Sequence, residues 1–326
     1  MKGEREDRAA CHIIQGDRVE HAEFTPDFAR HALSGGFFWL DLHQPRPADF
    51  QTLEEVFGFH RLAIQASEQF GQRAKIDDYD DYVFIIIYGA SPDVDKLVEV
   101  HCFYSEKFLV TVHRDEAPAF TELRVWYEDR HKPIEDPPLL VYRLVNALVD
   151  SFFPVLAEFD DMIDDLENET FANPTDQQSQ KIFAMKRLLV GLRKAITPER
   201  DMFASLMGGV AELPGMTEEH ERYFRDIYDH LIRISDLIDT YRDLLTSSMD
   251  VFLSTVSNRL NVVMKQLTVI ATIFLPLTFL TGFFGQNFGW LVRNITGWGP
   301  FLAFGIGLEV ALVVAMLVFF KRRGWF

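Results

Sequence analysis

The sequence predicts an α+β membrane protein, with an N-terminal cytosolic mixed α/β domain and a long stalk helix continuous with the first of two C-terminal transmembrane helices. Three observations predict it. Leu267–Phe284 reads LTVIATIFLPLTFLTGFF, 18 residues without a charge, enough to cross a hydrocarbon core of about 30 Å. Pro300–Phe320 is a second apolar stretch, with Glu309 as its only ionisable residue. Between Glu218 and Leu275 there is neither Pro nor Gly, so one helix can run into the first span. Lipid offers the backbone no hydrogen bonds, so each span must be a helix and the two form a hairpin.

Taken in order, residues 1–135 read as the α/β domain. Its strand candidates are Arg18–Phe24, Phe37–Leu42, Tyr82–Tyr88, Leu97–Tyr104 and Phe108–His113. Tyr82–Gly89 (YVFIIIYG) is continuously apolar, the pattern of a strand covered on both faces. Pro47–Phe57 reads as a helix started by Pro47 and Asp49, and residues 116–131 as another. Residues 136–216 form a helical hairpin region. Asp136 caps a helix with Pro137 at its first position, and this helix runs to about Phe171. Asn173-Pro174 stops it, Thr175 and Gln178 make a capping box for the next helix, and that one ends near Thr197-Pro198. Thr217 caps the stalk, 217–266, which continues into transmembrane helix 1, 267–284. From Thr217 to Phe284 the helical rise is about 100 Å. Pro276 lies inside the first span, with the Thr272 hydroxyl near enough to take up a freed carbonyl. An external loop, 285–299, leads to transmembrane helix 2, 300–320, and a basic cytosolic tail, 321–326.

Charge is unevenly placed. After residue 245 there are two acids, Asp250 and Glu309, against six bases. Taking these from totals of 49 acids and 32 bases leaves 47 and 26, a net of −21 for residues 1–245. A part this acidic is a poor partner for nucleic acid. It offers oxygen ligands to hard divalent cations. Arg259 and Lys265 precede the first span, and Lys321-Arg322-Arg323 follow the second, against Arg293 alone in the loop. Basic flanks stay inside, so both termini are expected in the cytoplasm of a cell (inner) membrane protein. Two cysteines, Cys11 and Cys102, suit a reducing compartment, and the polar start MKGEREDRAA is no signal peptide.

One face of the first span is unusual. Steps of four and three from Asp250 give Ser254, Ser257, Asn261, Met264, Thr268, Ala271, Leu275, Thr278 and Gly282. The spacing is that of a heptad seam, yet the residues are small and polar. Close helix packing explains small residues; a water-filled path explains the amide and acid as well. A single helix cannot enclose a path, so this reading implies a ring of subunits. Glu309 is expected near mid-membrane, protonated or hydrogen-bonded to a first-span hydroxyl such as Thr272, since a lipid-facing carboxylate costs about 2.5–3.5 kcal/mol.

The stretch SNRLNVVMKQLTVIATIFLPLTFLTGFFGQNF (Ser257–Phe288) resembles the pore helix and signature of the CorA-type two-span divalent metal-ion transporters. The likeness is dense over about seventy C-terminal residues and elsewhere extends to the order of elements. The family's Gly-Met-Asn signature stands here as Gly285-Gln286-Asn287. The middle residue varies among relatives of different cation, the zinc-transporting ZntB branch included. The loop carries Arg293 and no acid, where many magnesium-transporting members have acids.

The resemblance implies a homopentameric channel for Mg2+, with Co2+ or Ni2+ as further ions, gated by cytosolic cation binding. A ring of Asn287 amides, with Gly285 carbonyls and Gln286 at the mouth, would hold the hydrated ion, because Mg2+ sheds its water reluctantly. Thr278 and Asn261 would offer further polar rings, and Met264 with Leu267 or Leu275 apolar constrictions. Periodicity puts Thr268 on the pore face where the family pattern puts Leu267. Gly282, Ala271 and Ser257 complete the lining, and Asp250 closes it with an acidic ring. Asp226 matches a regulatory acid of the family, with Asp93 or Asp95 of a neighbouring subunit as its partner. The acids Asp160, Asp161, Asp164, Asp165, Glu167 and Glu169 read as a solvated helix face. The alternative is a ZntB-like proton-coupled Zn2+ transporter, and a third reading is a membrane-tethered sensor without transport. No HExxH, Walker loop, CxxC or Gly-x-Ser-x-Gly occurs, so neither an enzyme nor an organic cofactor is expected. The ten histidines are scattered and read as surface or core residues. Gly305 and Gly307 read as a packing notch.

Overall fold

The computed structural model describes residues 10–16, 18–91, 96–130, 134–172 and 174–325. The chain divides into two compact units, residues 1–169 with 175–248, and residues 170–174 with 249–326. Asp93 and Asp95 lie outside the described residues.

The first unit is built on seven strands: β1 (Ala10–Gln15), β2 (Arg18–Ala22), β3 (Phe38–His43), β4 (Lys75–Asp78), β5 (Val83–Ala90), β6 (Leu97–Tyr104) and β7 (Phe108–His113). Their order is β2-β1-β3-β7-β6-β5-β4. Only β3 and β7 pair in parallel; the other neighbours are antiparallel. Side chains alternate along each strand, so Phe38, Leu40 and Leu42 face one way and Trp39, Asp41 and His43 the other. The first face packs under α1 (Pro26–Leu33), α2 (Pro47–Phe57) and α3 (Arg61–Gln69), in a core that includes Phe50, Leu53, Ala63 and Phe103. On the second face lie α4 (Pro118–Arg130) and α5 (Pro137–Asp150), with Phe120 edge-on to Trp39 at 5.8 Å. Gly89 lets α5 approach β5 closely, since a β-carbon there would lie 2.8 Å from a Leu148 methyl.

Three helices complete this unit: α6 (Phe152–Ala172), α7 (Asp176–Met207) and the start of α8 (Glu218–Phe284). The single helix expected from Asp136 to about Phe171 is broken at Ser151. Pro154 has no N–H for the Asp150 carbonyl, and the Ser151 hydroxyl turns to accept from Ala90 N at 2.7 Å. At its start Asp136 caps Leu139 N at 3.1 Å. The expected stop near Thr197-Pro198 is also corrected, because α7 passes through Pro198 to Met207. One lost backbone bond is outweighed by the buried face that follows, Met202, Phe203 and Leu206. β1, β4, α1 and α3 were not expected; each is short, and β4 carries polar residues.

Glu199 is fully buried on α7 and accepts from Tyr88 N at 2.5 Å, protecting an N–H beyond the end of β4. Burial raises this carboxyl well above its ordinary range, and the Tyr88 bond opposes that only in part. A raised carboxyl favours folding most at low pH, and that contribution is lost as pH rises toward the folded-state value. Glu199→Gln should remove this loss, which has a slope of up to about 1.4 kcal/mol per pH unit. Thermal unfolding at pH 5 and pH 8 checks it: the variant should gain on wild type as pH rises, and parallel curves would refute it.

In the second unit α8 continues without a break through Pro276 to Phe284. It is followed by α9 (Gly289–Asn294) and α10 (Trp298–Arg322), the latter widened to a π-helical turn at Phe301–Gly307. α8 and α10 run antiparallel: Phe284 lies 6.4 Å from Phe304, and Lys265 Nζ donates to Gly324 O at 3.3 Å. Among the described residues three helical stretches are long and apolar enough to cross a membrane: α5 taken together with α6 (Pro137–Ala172), then α8, then α10. In Pro137–Ala172 half of the apolar stretch is buried against its own unit, whereas in α8 and α10 the shares are 6 % and 0 %. Burial accounts for the apolarity of the first; Leu275, Phe279 and Trp298 of the other two stay exposed.

Candidate functional site

The site is built on the exposed face of α8 and the turn that ends it. Ser257, Asn261, Met264, Leu267, Thr268, Ala271, Leu275, Thr278 and Gly282 are all exposed, as are Asp250 and Ser254. Leu275 is the most open of the apolar ones at 74 %. The hydroxyls of Thr268 and Thr278 donate to the carbonyls of Met264 and Phe274, 2.8 and 2.9 Å away. Each therefore spends its hydrogen on its own helix and turns a lone pair outward, an oxygen suited to a cation or its water. Leu267 and Thr268 are both exposed, so one chain does not choose between them.

Gly285 ends the helix. Its N–H donates to Thr281 O at 2.9 Å, and an added β-carbon would sit 2.9 Å from the same oxygen. A side chain there would have to displace backbone, which is a physical reason for glycine at this point. Gln286 N then donates to Phe283 O at 3.3 Å, and Gln286, Asn287 and Phe288 form an irregular, exposed turn before α9. Both amides are accessible to a hydrated ion.

Glu309 is only part-exposed, and the Thr281 hydroxyl lies 2.8 Å from its Oε1. The expectation is a first-span hydroxyl such as Thr272, and Thr281 is a hydroxyl of that span. The antiparallel register of α8 and α10 instead sets Glu309 beside the last turn of the span, a relation that needs the depth of the Gln286–Gly297 connection to be known. Thr281 also lies 2.8 Å from Leu277 O. This pair ties the two helices one turn below Gly285.

In the first unit Asp226 is half-exposed on α8, its Oδ2 accepting from the Tyr142 hydroxyl at 3.3 Å. His230 stands 3.8 Å from Asp226 and 2.9 Å from Asp150, the latter a close contact without hydrogen-bond alignment. Asp150 and His230, 80 residues apart, carry no local signal that would have marked them. Most of the acidic row on α6 is exposed, with Glu169 paired to Lys181 at 3.2 Å and Glu167 accepting from Ser248 at 2.9 Å. Among the described residues no three His, Cys, Asp or Glu side chains converge as a metal cluster.

A buried ionic network holds the sheet. Asp41, 1 % exposed, accepts from Thr111 Oγ1 at 2.6 Å, from His113 Nε2 at 3.1 Å and from Arg124. Burial pushes Asp41 up, but His113 and Arg124 outweigh it and hold the carboxyl below its ordinary range. Burial likewise pushes His113 down, and Asp41 outweighs that, leaving it raised.

Residues 34–322 match the family model described as CorA-like Mg2+ transporter protein. The chain is 36 % identical over 299 residues to the cobalt/magnesium transport protein CorA of Thermotoga maritima, covering 88 % of this chain and 83 % of that one. It is 28 % identical over 291 residues to the zinc transport protein ZntB of Pectobacterium carotovorum, covering 88 % and 87 %. Its fold is similar to the complete structure of the CorA magnesium transporter from Methanocaldococcus jannaschii, with a TM-score of 0.82, 23 % identity, and 97 % and 99 % of the two chains covered.

Proposed function

Because the chain belongs to the CorA-like Mg2+ transporter family, a family of divalent metal-ion transporters, we propose that it conducts hydrated Mg2+ through a pore lined by the α8 helices of a homopentamer in the cell membrane, with both termini in the cytoplasm. The observation that carries this reading is the exposed, small and polar face of α8 that ends in Gly285-Gln286-Asn287. An amide ring at Asn287 holds the ion through its water shell, and inner rings at Thr278 and Asn261 receive it. Met264 and Leu275 form the constrictions that dewet when the pore is shut. The membrane potential suffices as driving force, at about 4.6 kcal/mol per 100 mV for a divalent ion. Co2+ and Ni2+, close in size, are further cargo.

The test is uptake into proteoliposomes, comparing Mg2+, Zn2+ and an imposed pH gradient. Mg2+ uptake driven by potential alone supports the proposal. Zn2+ uptake that requires the pH gradient supports the proton-coupled reading instead, which Gln286, Arg293 and the Glu309–Thr281 pair favour. No uptake at all leaves a membrane-tethered sensor.

Gating follows if cation binds the closed ring more tightly than the open one. Asp226 is the acid we assign to this, facing Asp93 or Asp95 of the next subunit. Asp226→Lys should weaken protection by Mg2+ against proteolysis at least about tenfold in Mg2+, or about 1.4 kcal/mol, and leave uptake running as internal Mg2+ rises. Equal protection of variant and wild type would place the sensor elsewhere.

A further inference from the structure

The end of α10 is folded back on itself. Gly324 has a left-handed φ of 68°, a conformation that favours glycine. Gly324 N donates to Lys321 O at 3.2 Å, and Trp325 N donates to Phe320 O at 3.0 Å. These two bonds make the Schellman cap of a helix C-terminus, which an apolar contact usually accompanies. Here that contact is the Trp325 ring against Phe320, 5.4 Å between centroids. Phe320 is itself 4 % exposed, so the tryptophan rests on a fixed neighbour.

Lys265 of α8 closes this turn from the other helix. Its Nζ donates to Gly324 O at 3.3 Å and stands 5.9 Å from the centre of the Trp325 ring. Lys265 lies two residues before the uncharged run Leu267–Phe284, and Lys321 directly follows the apolar stretch Pro300–Phe320. The start of one span and the end of the other therefore meet at one membrane boundary, the level at which tryptophan is enriched.

Four cations gather at this boundary: Lys265, Lys321, Arg322 and Arg323. The last three are exposed, with Arg323 over the Phe319 ring at 5.6 Å. Among the described residues of the second unit the acidic side chains are Asp250 and Glu309. Asp250 is 15 residues down α8 from Lys265, about 22 Å away and beyond a screening length of about 8–10 Å. Glu309 is 12 residues up α10 from Lys321, about 18 Å away, and meets Thr281. Helix-end carbonyls that would repel an anion are occupied. Phe319 O accepts from Arg323 N, and Phe320, Lys321 and Gly324 O are taken by the bonds above.

The boundary thus presents clustered N–H donors and positive charge without a countercharge, a fit for phosphate. At this depth the phosphate is the one a phospholipid carries, and exposed apolar side chains such as Phe319 begin within a turn of it. A headgroup that adds its own cation, such as choline, is repelled by the other three. We propose that Lys265 and the Lys321–Trp325 cap form a binding site for the phosphate of an anionic glycerophospholipid in the cytoplasmic leaflet. The bound phosphate bridges the entry of α8 into the membrane and the exit of α10. The site rests on the two-span topology proposed above and not on which ion is conducted.

Native mass spectrometry of the full-length protein in detergent, with equal phosphatidylglycerol and phosphatidylcholine, tests it. Wild type should retain phosphatidylglycerol, and Lys265→Gln/Arg322→Gln should bind it at least about tenfold more weakly. Arg259, Lys321 and Arg323 remain in that variant, so its orientation is kept. Gly324→Ala preserves every charge and strains the left-handed turn; it should lose severalfold in retention, which a diffuse basic flank would not. Inorganic phosphate at millimolar concentration should not displace the lipid. Equal retention of both lipids by wild type, unchanged retention in either variant, or displacement by inorganic phosphate overturns the site. Retained lipid without ion uptake would count against conduction alone.

Discussion

Asn287→Ala should abolish divalent uptake, with flux falling by at least about 100-fold. A hydrogen bond to a charged group contributes about 1.5–3 kcal/mol, and about 2.7 kcal/mol is a hundredfold; in the proposed ring every subunit loses its amide at once. The loss is confined to conduction, because Asn287 is exposed in an irregular turn and supports no core packing. Size-exclusion chromatography of the variant should match wild type, and proteoliposome uptake should not. Uptake at the wild-type rate by an assembled variant would remove Asn287 from the mechanism. Gly285 makes a different case, since a side chain there collides with Thr281 O and both assembly and flux would suffer.

Asp41→Ala should cost about 3–5 kcal/mol of stability, the usual loss when one member of a buried ion pair is removed and its partners stay behind. His113 and Arg124 would be left with uncompensated charge beside a 1 % exposed position. The fall in Tm should be on the order of 10 °C. The pH dependence has two parts. Asp41 is depressed, so its contribution is present above the unfolded carboxyl value and is lost as pH falls through the folded one. His113 is raised, so its contribution is present below the unfolded imidazole value and is lost as pH rises through the folded one. The gap in Tm between wild type and variant should therefore be widest near pH 5–6, between the reference values for carboxyl and imidazole, and narrow on either side. A gap that does not change with pH would contradict the charge pairing.

Much of the second unit was legible because its determinants are local. An uncharged 18-residue run, Leu267–Phe284, is a helix in lipid whatever surrounds it, and the Gly285 turn follows from the need for a residue without a β-carbon. What was not legible there was depth: Glu309 meets Thr281 rather than Thr272, because the connection holds a helix of its own, Gly289–Asn294, and α10 begins with a π-helical turn. In the first unit, strands with continuous apolar runs, such as Val83–Ala90, were readable. β4 (Lys75–Asp78) carries no such run and forms by pairing with β5. A proline breaks helices in isolation, yet Pro198 does not stop α7, where buried side chains beyond it decide.

By itself the sequence determined the membrane hairpin, the uninterrupted helix that feeds it and the small polar face along that helix, since hydropathy and helical period act over neighbouring residues. Only the tertiary structure decided which scattered side chains meet. His12, Asp41 and His113 are up to 101 residues apart in sequence, yet the order β1-β3-β7 sets them on adjacent strands. Their meeting depends on register, and a shift of one residue would turn every one of them to the opposite face. No local pattern encodes that register; it is fixed by the fit of Phe38, Leu40 and Leu42 beneath the helices on the other side of the sheet.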